Sequence, residues 1–192
     1  LSLKEIFGIP GAKEVMISFF CYCALEQTAS LWVSSYLVFY HKMPEDAAAG
    51  FASLFFVGIT VGRFLRGFLT MKFNDKQMIW LGEAITLVGI LTLFLPFGKA
   101  AVIPGLILVG LGCAPIYPCI IHSTPANFGA ERSQAMIGVQ MAFAYIGICV
   151  MPPIFGLIAN HISISLFPVY MLLILAVMAV MYQRMLGKVK NR

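Results

Sequence analysis

Few residues of this 192-residue chain could do chemistry, and the most informative is a carboxylate in an apolar setting. Glu26 sits eleven residues into the run Val15 to Tyr40. At 1.5 Å per helical residue that places it roughly 16 Å deep in a hydrocarbon core about 30 Å thick. An acid at that depth costs on the order of 2.5 to 3.5 kcal/mol on insertion scales, so it turns toward a partner or a water-filled cavity. Taking 100° per residue, Tyr22, Glu26 and Ser30 fall within about 40° of one line, with Gln27 and Ser34 at its margin. Such a stripe suits hydrogen bonding to a polar solute, or passage of a proton. The plainer alternative is one interhelical hydrogen bond that fixes the rotation of the helix.

Two further charges invite pairing. Glu83 lies six residues into the run that starts at Gln77, roughly 9 Å from its end, and Arg63 lies roughly 12 Å from the same surface on the preceding run. Equal depth predicts a buried Arg63–Glu83 pair with a structural or gating role, because removing one partner of such a pair costs about 3 to 5 kcal/mol. Gln140 and Tyr145, five residues apart, are additional cavity candidates. An enzyme would need a paired acid, a metal cluster or a Ser/His arrangement at one depth. His41 and His161 fall in outer turns, His122 near an inner helix end, and Glu26 and Glu83 at different depths. No enzyme, cofactor or metal site is expected, and a non-transporting receptor or scaffold would leave the polar stripe without a task.

The elements that must position these groups are membrane helices. Apolar residues make up 60% of the chain and charged residues 11%, with a mean hydropathy of +0.92, whereas charged residues take about a quarter of an ordinary soluble domain. The chain therefore reads as an all-α integral membrane protein partnered by the lipid bilayer, with room for six spans and no separate soluble domain. The net charge of +5 does not indicate nucleic acid, because the basic residues cluster at helix ends. Of thirteen Lys and Arg, only Lys42 and Lys99 fall on one side, and Lys4, Lys13, Arg63, Arg66, Lys72, Lys76, Arg132, Arg184, Lys188, Lys190 and Arg192 fall on the other. The positive-inside rule then puts both termini in the cytoplasm, in agreement with an even number of spans. The five cysteines, Cys21, Cys23, Cys113, Cys119 and Cys149, read as small buried hydrophobes rather than a disulfide framework.

Leu1 to Ala12 is expected to lie along the membrane surface, and helices are expected near 13–40, 47–71, 77–95, 101–124, 133–158 and 164–182. The second contains Gly58-x-x-x-Gly62, a spacing that lets another backbone approach closely. The fourth contains GLGCAPIYPC, where Pro115 and Pro118 each remove a backbone hydrogen bond, so the helix should kink or open. PANFGAER, 125–132, reads as a loop. The sixth helix has few polar residues and is expected to face lipid.

Three stretches together, FCYCALEQTASLWVSSYL, AAGFASLFF with VGRFLRGFLTMKF, and GCAPIYPCII, resemble the C-terminal half of the fucose permease-like sugar:proton symporters of the major facilitator superfamily. The likeness covers nearly the whole chain. It implies one six-helix domain, 1–192, built as a 3+3 inverted repeat of about 13–96 and 101–184, in which the first and fourth helices line a central cavity. It also implies that Glu26 faces substrate and that Tyr117, in the IYP element, lies along the same path. Tyr22, Glu26, Gln27, Ser30, Tyr117, Gln140 and Tyr145 are then the expected solute-binding residues, with Glu26 the candidate proton carrier and a sugar the expected solute. A chain that begins at Leu1 rather than Met is expected to be a piece of a longer transporter. Its expected partner is a matching N-terminal half or a second copy, in a bacterial inner membrane.

Overall fold

The computed structural model describes residues 2–190, and the chain turns back wherever polar or glycine-containing stretches interrupt its apolar runs. Eight α-helices result among the described residues. They are α1 (Leu3–Phe7), α2 (Ala12–Phe39), α3 (Glu45–Leu69), α4 (Asp75–Leu93), α5 (Lys99–Cys113), α6 (Ile116–Phe128), α7 (Ala130–His161) and α8 (Phe167–Lys190), with a single 3₁₀ turn at Ile164–Leu166. Leu1, Asn191 and Arg192, the ends of the expected 1–192 domain and one member of the basic face, lie outside the described residues.

Local chemistry sets several of these boundaries. Ser2 and Glu5 form a reciprocal cap on α1, and Asn74 and Gln77 form another on α4, where the Gln77 amide donates to Asn74 Oδ1 at 2.8 Å. Gly129 adopts φ +94°, a conformation that favours glycine, and this one residue separates α6 from α7. The expected loop at 125–132 is thus corrected: α6 runs through Pro125 to Phe128, and α7 begins at Ala130.

Among the described residues, five stretches are long and apolar enough to cross a membrane: Glu45–Leu69, Asp75–Leu93, Lys99–Phe128, Ala130–His161 and Ile164–Lys190. Helix α2 is not among them. Its 28 residues would reach about 42 Å, but Glu26, Gln27 and several hydroxyl residues dilute its middle. It is instead enclosed by protein, packing on α7, α8, α3 and α6. Phe19 and the consecutive residues Cys21, Tyr22, Cys23, Ala24 and Leu25 of α2 are all buried, which takes in its whole circumference, so it has no single apolar face.

Helix α5 lies between α3 and α4 and is held there by glycines on all three helices. A Cβ on Gly110 would lie 2.2 Å from the Phe55 carbonyl oxygen, and one on Gly58 would lie 2.4 Å from that of Ile107. On the other side, a Cβ on Gly112 would lie 2.1 Å from Thr86 Oγ1 and one on Gly82 would lie 2.5 Å from the Gly112 carbonyl oxygen. These backbones are in contact, which is what the Gly58–Gly62 spacing permits.

The proline-containing fourth helix is interrupted. Helix α5 ends at Cys113, Ala114 and Pro115 form a turn, and α6 begins at Ile116. Pro115 has no N–H to offer the Leu111 carbonyl. That carbonyl oxygen is covered by α3, 3.1 Å from where a Gly62 Cβ would stand. Pro118 sits in the first turn of α6, where its missing donor is not needed.

Two other expectations change. Helix α8 does not simply face lipid: it buries Tyr170, Met171, Ile174, Met178, Tyr182 and Met185, largely against α2, and the Ser18 hydroxyl donates to the Met178 carbonyl at 3.3 Å. All five cysteines are free thiols, but Cys149 is exposed whereas the other four are buried.

Candidate solute site on α2, α6 and α7

The polar stripe of α2 borders a region that is packed less tightly than the α3–α5–α4 seam. Glu26, Gln27 and Ser30 are half-buried, and the Ser30 hydroxyl donates back to the Glu26 carbonyl at 2.9 Å. That local bond leaves the Glu26 carboxylate free of the Ser30 hydroxyl. Tyr22, one turn earlier, is fully enclosed rather than exposed on the stripe. Its hydroxyl lies within electrostatic reach of Glu26 but has no hydrogen-bond partner of ordinary geometry among the described residues.

The turn at Pro115 delivers Tyr117 to the same place. Its ring packs against Phe19 at a centroid distance of 5.1 Å and against Tyr22 at 6.3 Å, both in tilted orientations. Its hydroxyl donates to Met141 Sδ of α7 at 3.3 Å. Tyr145 lies one turn further along α7, is 61% exposed, and falls within reach of Tyr117 together with Arg63 and Glu26. Tyr22 of α2 therefore packs on the Tyr117 ring, and Tyr145 of α7, Glu26 of α2 and Arg63 of α3 lie within electrostatic range of it. Such a set offers flat apolar faces for stacking and charged groups of both signs for hydrogen bonds.

Beyond Ser30, the Trp32 indole donates to the Pro152 carbonyl at 3.1 Å and packs edge-on to Phe155 at 5.4 Å. The bend at Pro152 and Pro153 thereby gains a partner on α2. An open recess of about 310 Å³, lined by Leu31, Trp32, Ser35, Pro152 and Pro153, lies at this end of the α2–α7 contact.

Not every expected residue joins this group. Gln140 is fully enclosed, and its Oε1 accepts from the Thr124 hydroxyl at 3.2 Å, so it ties α7 to α6 instead of facing the open side. The expected Arg63–Glu83 pair is absent. Helix α5 stands between α3 and α4, so equal depth does not bring the two residues together. Arg63 is exposed near Tyr117, whereas Glu83 is buried on α4 with Oε1 unpartnered among the described residues. Among the described residues the contacts of this kind that do form are the Lys188–Glu14 ion pair, joining α8 to α2, and a hydrogen bond between His122 Nδ1 and Asp75 Oδ2 at 2.6 Å, joining α6 to α4. Phe19, Met141 and Arg63 are the members of the site that the sequence reading did not assign to it. Arg63 had a legible signal, an uncompensated cation inside an apolar run, but its neighbour could not be read. Among the described residues no cluster of His, Cys, Asp and Glu is suited to a metal ion.

Comparison with known proteins gives a consistent result. The family model described as Major Facilitator Superfamily matches residues 15–189. Among solved structures, a peptide transporter POT in complex with alafosfalin is similar over 97% of this chain and 43% of its own, with a TM-score of 0.77 and 18% identity. The E. coli fucose:proton symporter FucP is similar over 97% of this chain and 44% of its own, with a TM-score of 0.73 and 18% identity. FucP in the outward conformation gives a TM-score of 0.70 over 89% of this chain and 42% of its own, also at 18% identity. The chain thus spans less than half the length of each. No curated protein sequence matches.

Proposed function

From the premise that this chain belongs to the Major Facilitator Superfamily, and is a multi-pass membrane protein of a transporter rather than an enzyme family, we propose that it forms one six-helix half of a secondary transporter. In this reading α2 is the sixth span, shielded by its neighbours from lipid, and the repeats are about 13–96 and 101–184. Both termini face the cytoplasm of a bacterial cell, as the basic side of the chain supports. An N-terminal half or a second copy supplies the other wall of the cavity.

The solute is small and polar, a sugar in the first reading. The observation that carries this is the half-buried Glu26 in the middle of α2, within electrostatic range of Tyr117. The carboxylate accepts from sugar hydroxyls, Gln27 adds an amide, and Tyr117 and Tyr145 offer ring faces. Rocking of the two halves would expose the site alternately. Glu26 is also the candidate proton carrier, with about 2.3 kcal/mol per charge available from each 100 mV of potential.

A second reading has one observation in its favour. Arg63 and Glu26 approach the same Tyr117 from different helices, and opposite charges across an aromatic platform suit the two ends of a short peptide.

Uptake into vesicles by the complete transporter tests both. Glu26→Ala is expected to abolish uptake with the fold retained, and parental uptake would sink the assignment. Loss of one charged hydrogen bond should weaken solute binding roughly ten- to a hundredfold. Glu26→Gln separates the roles: binding kept with accumulation lost marks a proton carrier, and binding lost marks a solute ligand. Competition by sugars but not by dipeptides favours the first reading, and the reverse favours the second.

A further inference from the structure

Between α4 and α8 lies a groove that the solute path does not use. Trp80 and Leu87 of α4 face Leu172, Leu175, Ala176 and Ala179 of α8 across a cavity of about 310 Å³, and Glu83 is the one charged residue in its lining. The Glu83 side chain is the anomaly. The residue is only 8% exposed, and Oε1 has no hydrogen-bond partner among the described residues.

A buried, unpaired carboxyl is costly and calls for a donor or a cation. The lysine on the same helix is otherwise engaged. Lys76 is placed over the Trp80 ring at 4.9 Å, and the Trp80 indole donates to Gln183 Oε1 at 2.9 Å, so these groups close the groove at the end nearer the start of α4. What remains is a mostly apolar trough of ligand-binding size with one acidic residue in its lining, the usual make-up of a small-molecule site. Charge complementarity sets the chemistry of the occupant: a hydrocarbon body for the α8 wall and one ammonium for Glu83.

We infer that the α4–α8 groove binds a free lipophilic amine, with its ammonium on Glu83 and its chain along Leu172, Leu175 and Ala176. Glu83 lies eight residues from the start of α4 at Asp75, hence roughly 12 Å below that helix end. That depth suits a single-chain amine entering sideways from the bilayer better than the headgroup of a two-chain lipid. The site requires α4 and α8 to lie in a membrane, but not the solute reading of Glu26.

The test uses the protein in phosphatidylcholine nanodiscs. Dicyclohexylcarbodiimide, which adds to protonated carboxyls in apolar surroundings, is applied with and without N,N-dimethyldecylamine, a tertiary amine that the activated carboxyl cannot convert to an amide, and the modified residues are mapped by peptide mass analysis. The amine should protect Glu83 while decanol, of equal chain length but uncharged, should not. Binding of the radiolabelled amine should weaken at least about tenfold in Glu83→Gln. It should weaken also in Ala176→Leu, which fills the groove and keeps the carboxyl, so the test survives if one variant does not fold. Equal protection by decanol would overturn the inference, as would a folded protein whose Glu83 is not modified or unchanged binding in Ala176→Leu. Protection by phosphatidylethanolamine alone would assign the groove to a lipid and overturn it too.

Discussion

The stretch Lys99–Phe128 crosses the bundle in two unlike halves. Helix α5, before the Pro115 turn, is wedged between α3 and α4 with backbones in contact at Gly58, Gly62, Gly82, Gly110 and Gly112. Helix α6, after the turn, presents Tyr117 to a half-open group of aromatic and charged residues. The first half has no spare volume, and the second has side chains that a solute could displace. A close-packed backbone seam is a rigid support, because interiors at that density transmit strain instead of absorbing it. A site placed directly beyond such a seam is held in position while its own side chains stay adjustable.

The largest effect should come from filling the seam. Gly110→Leu places a side chain where the Phe55 carbonyl stands 2.2 Å from the Cβ position, and the loss should be at least about 3 kcal/mol, seen as failure to recover folded protein or a sharp fall in Tm in detergent. A stable, folded Gly110→Leu would show that the two halves of the stretch do not differ as described.

Next in size is Tyr117→Ala. It removes ring contacts with Phe19 and Tyr22 worth about 1 kcal/mol of stability. Solute affinity should fall roughly tenfold, a free-energy change of about 1.4 kcal/mol. The comparison sharpens if affinity falls with little change in Tm, and it breaks if Tm collapses as it does for Gly110→Leu.

Pro115→Ala probes the boundary itself. Alanine can donate to the Leu111 carbonyl and continue the helix, adding about 1 kcal/mol to stability, while solute uptake slows as Tyr117 is carried out of place. Unaltered uptake with raised Tm would mean that the interruption has no part in function.

The smallest effect is expected on the open side, at Gly138 of α7, where a Cβ would meet nothing within 4 Å. Gly138→Ala should be neutral or gain up to about 1 kcal/mol through helix propensity, measured by thermal unfolding. A marked loss there would show that this side of α7 is covered by something the isolated chain lacks.

Apolar run length was enough to place most of the long helices, because a span must be long, apolar and internally hydrogen-bonded whatever surrounds it, but it did not set their number. Glu26 stands out in the sequence because a carboxylate is conspicuous in an apolar run. The interruption at Pro115 was legible too, because proline removes a donor in any context. Single-residue turns were less so: PANFGAER has the composition of a loop, yet only Gly129 leaves the helical path.

Sequence by itself thus determined the class of the protein, the existence and rough limits of its helices, and the residues whose burial would be costly. Which residues meet was decided only by the tertiary structure. Arg63 and Glu83 share a depth, but depth is one coordinate of three, and α5 occupies the space between their helices. Gln140 and Tyr145 sit on one helix five residues apart, and packing turned one into the α6 contact and left the other in the open. Helical rotation and neighbour order arise from which glycines admit which backbones, a property of surfaces in contact and not of either run read alone.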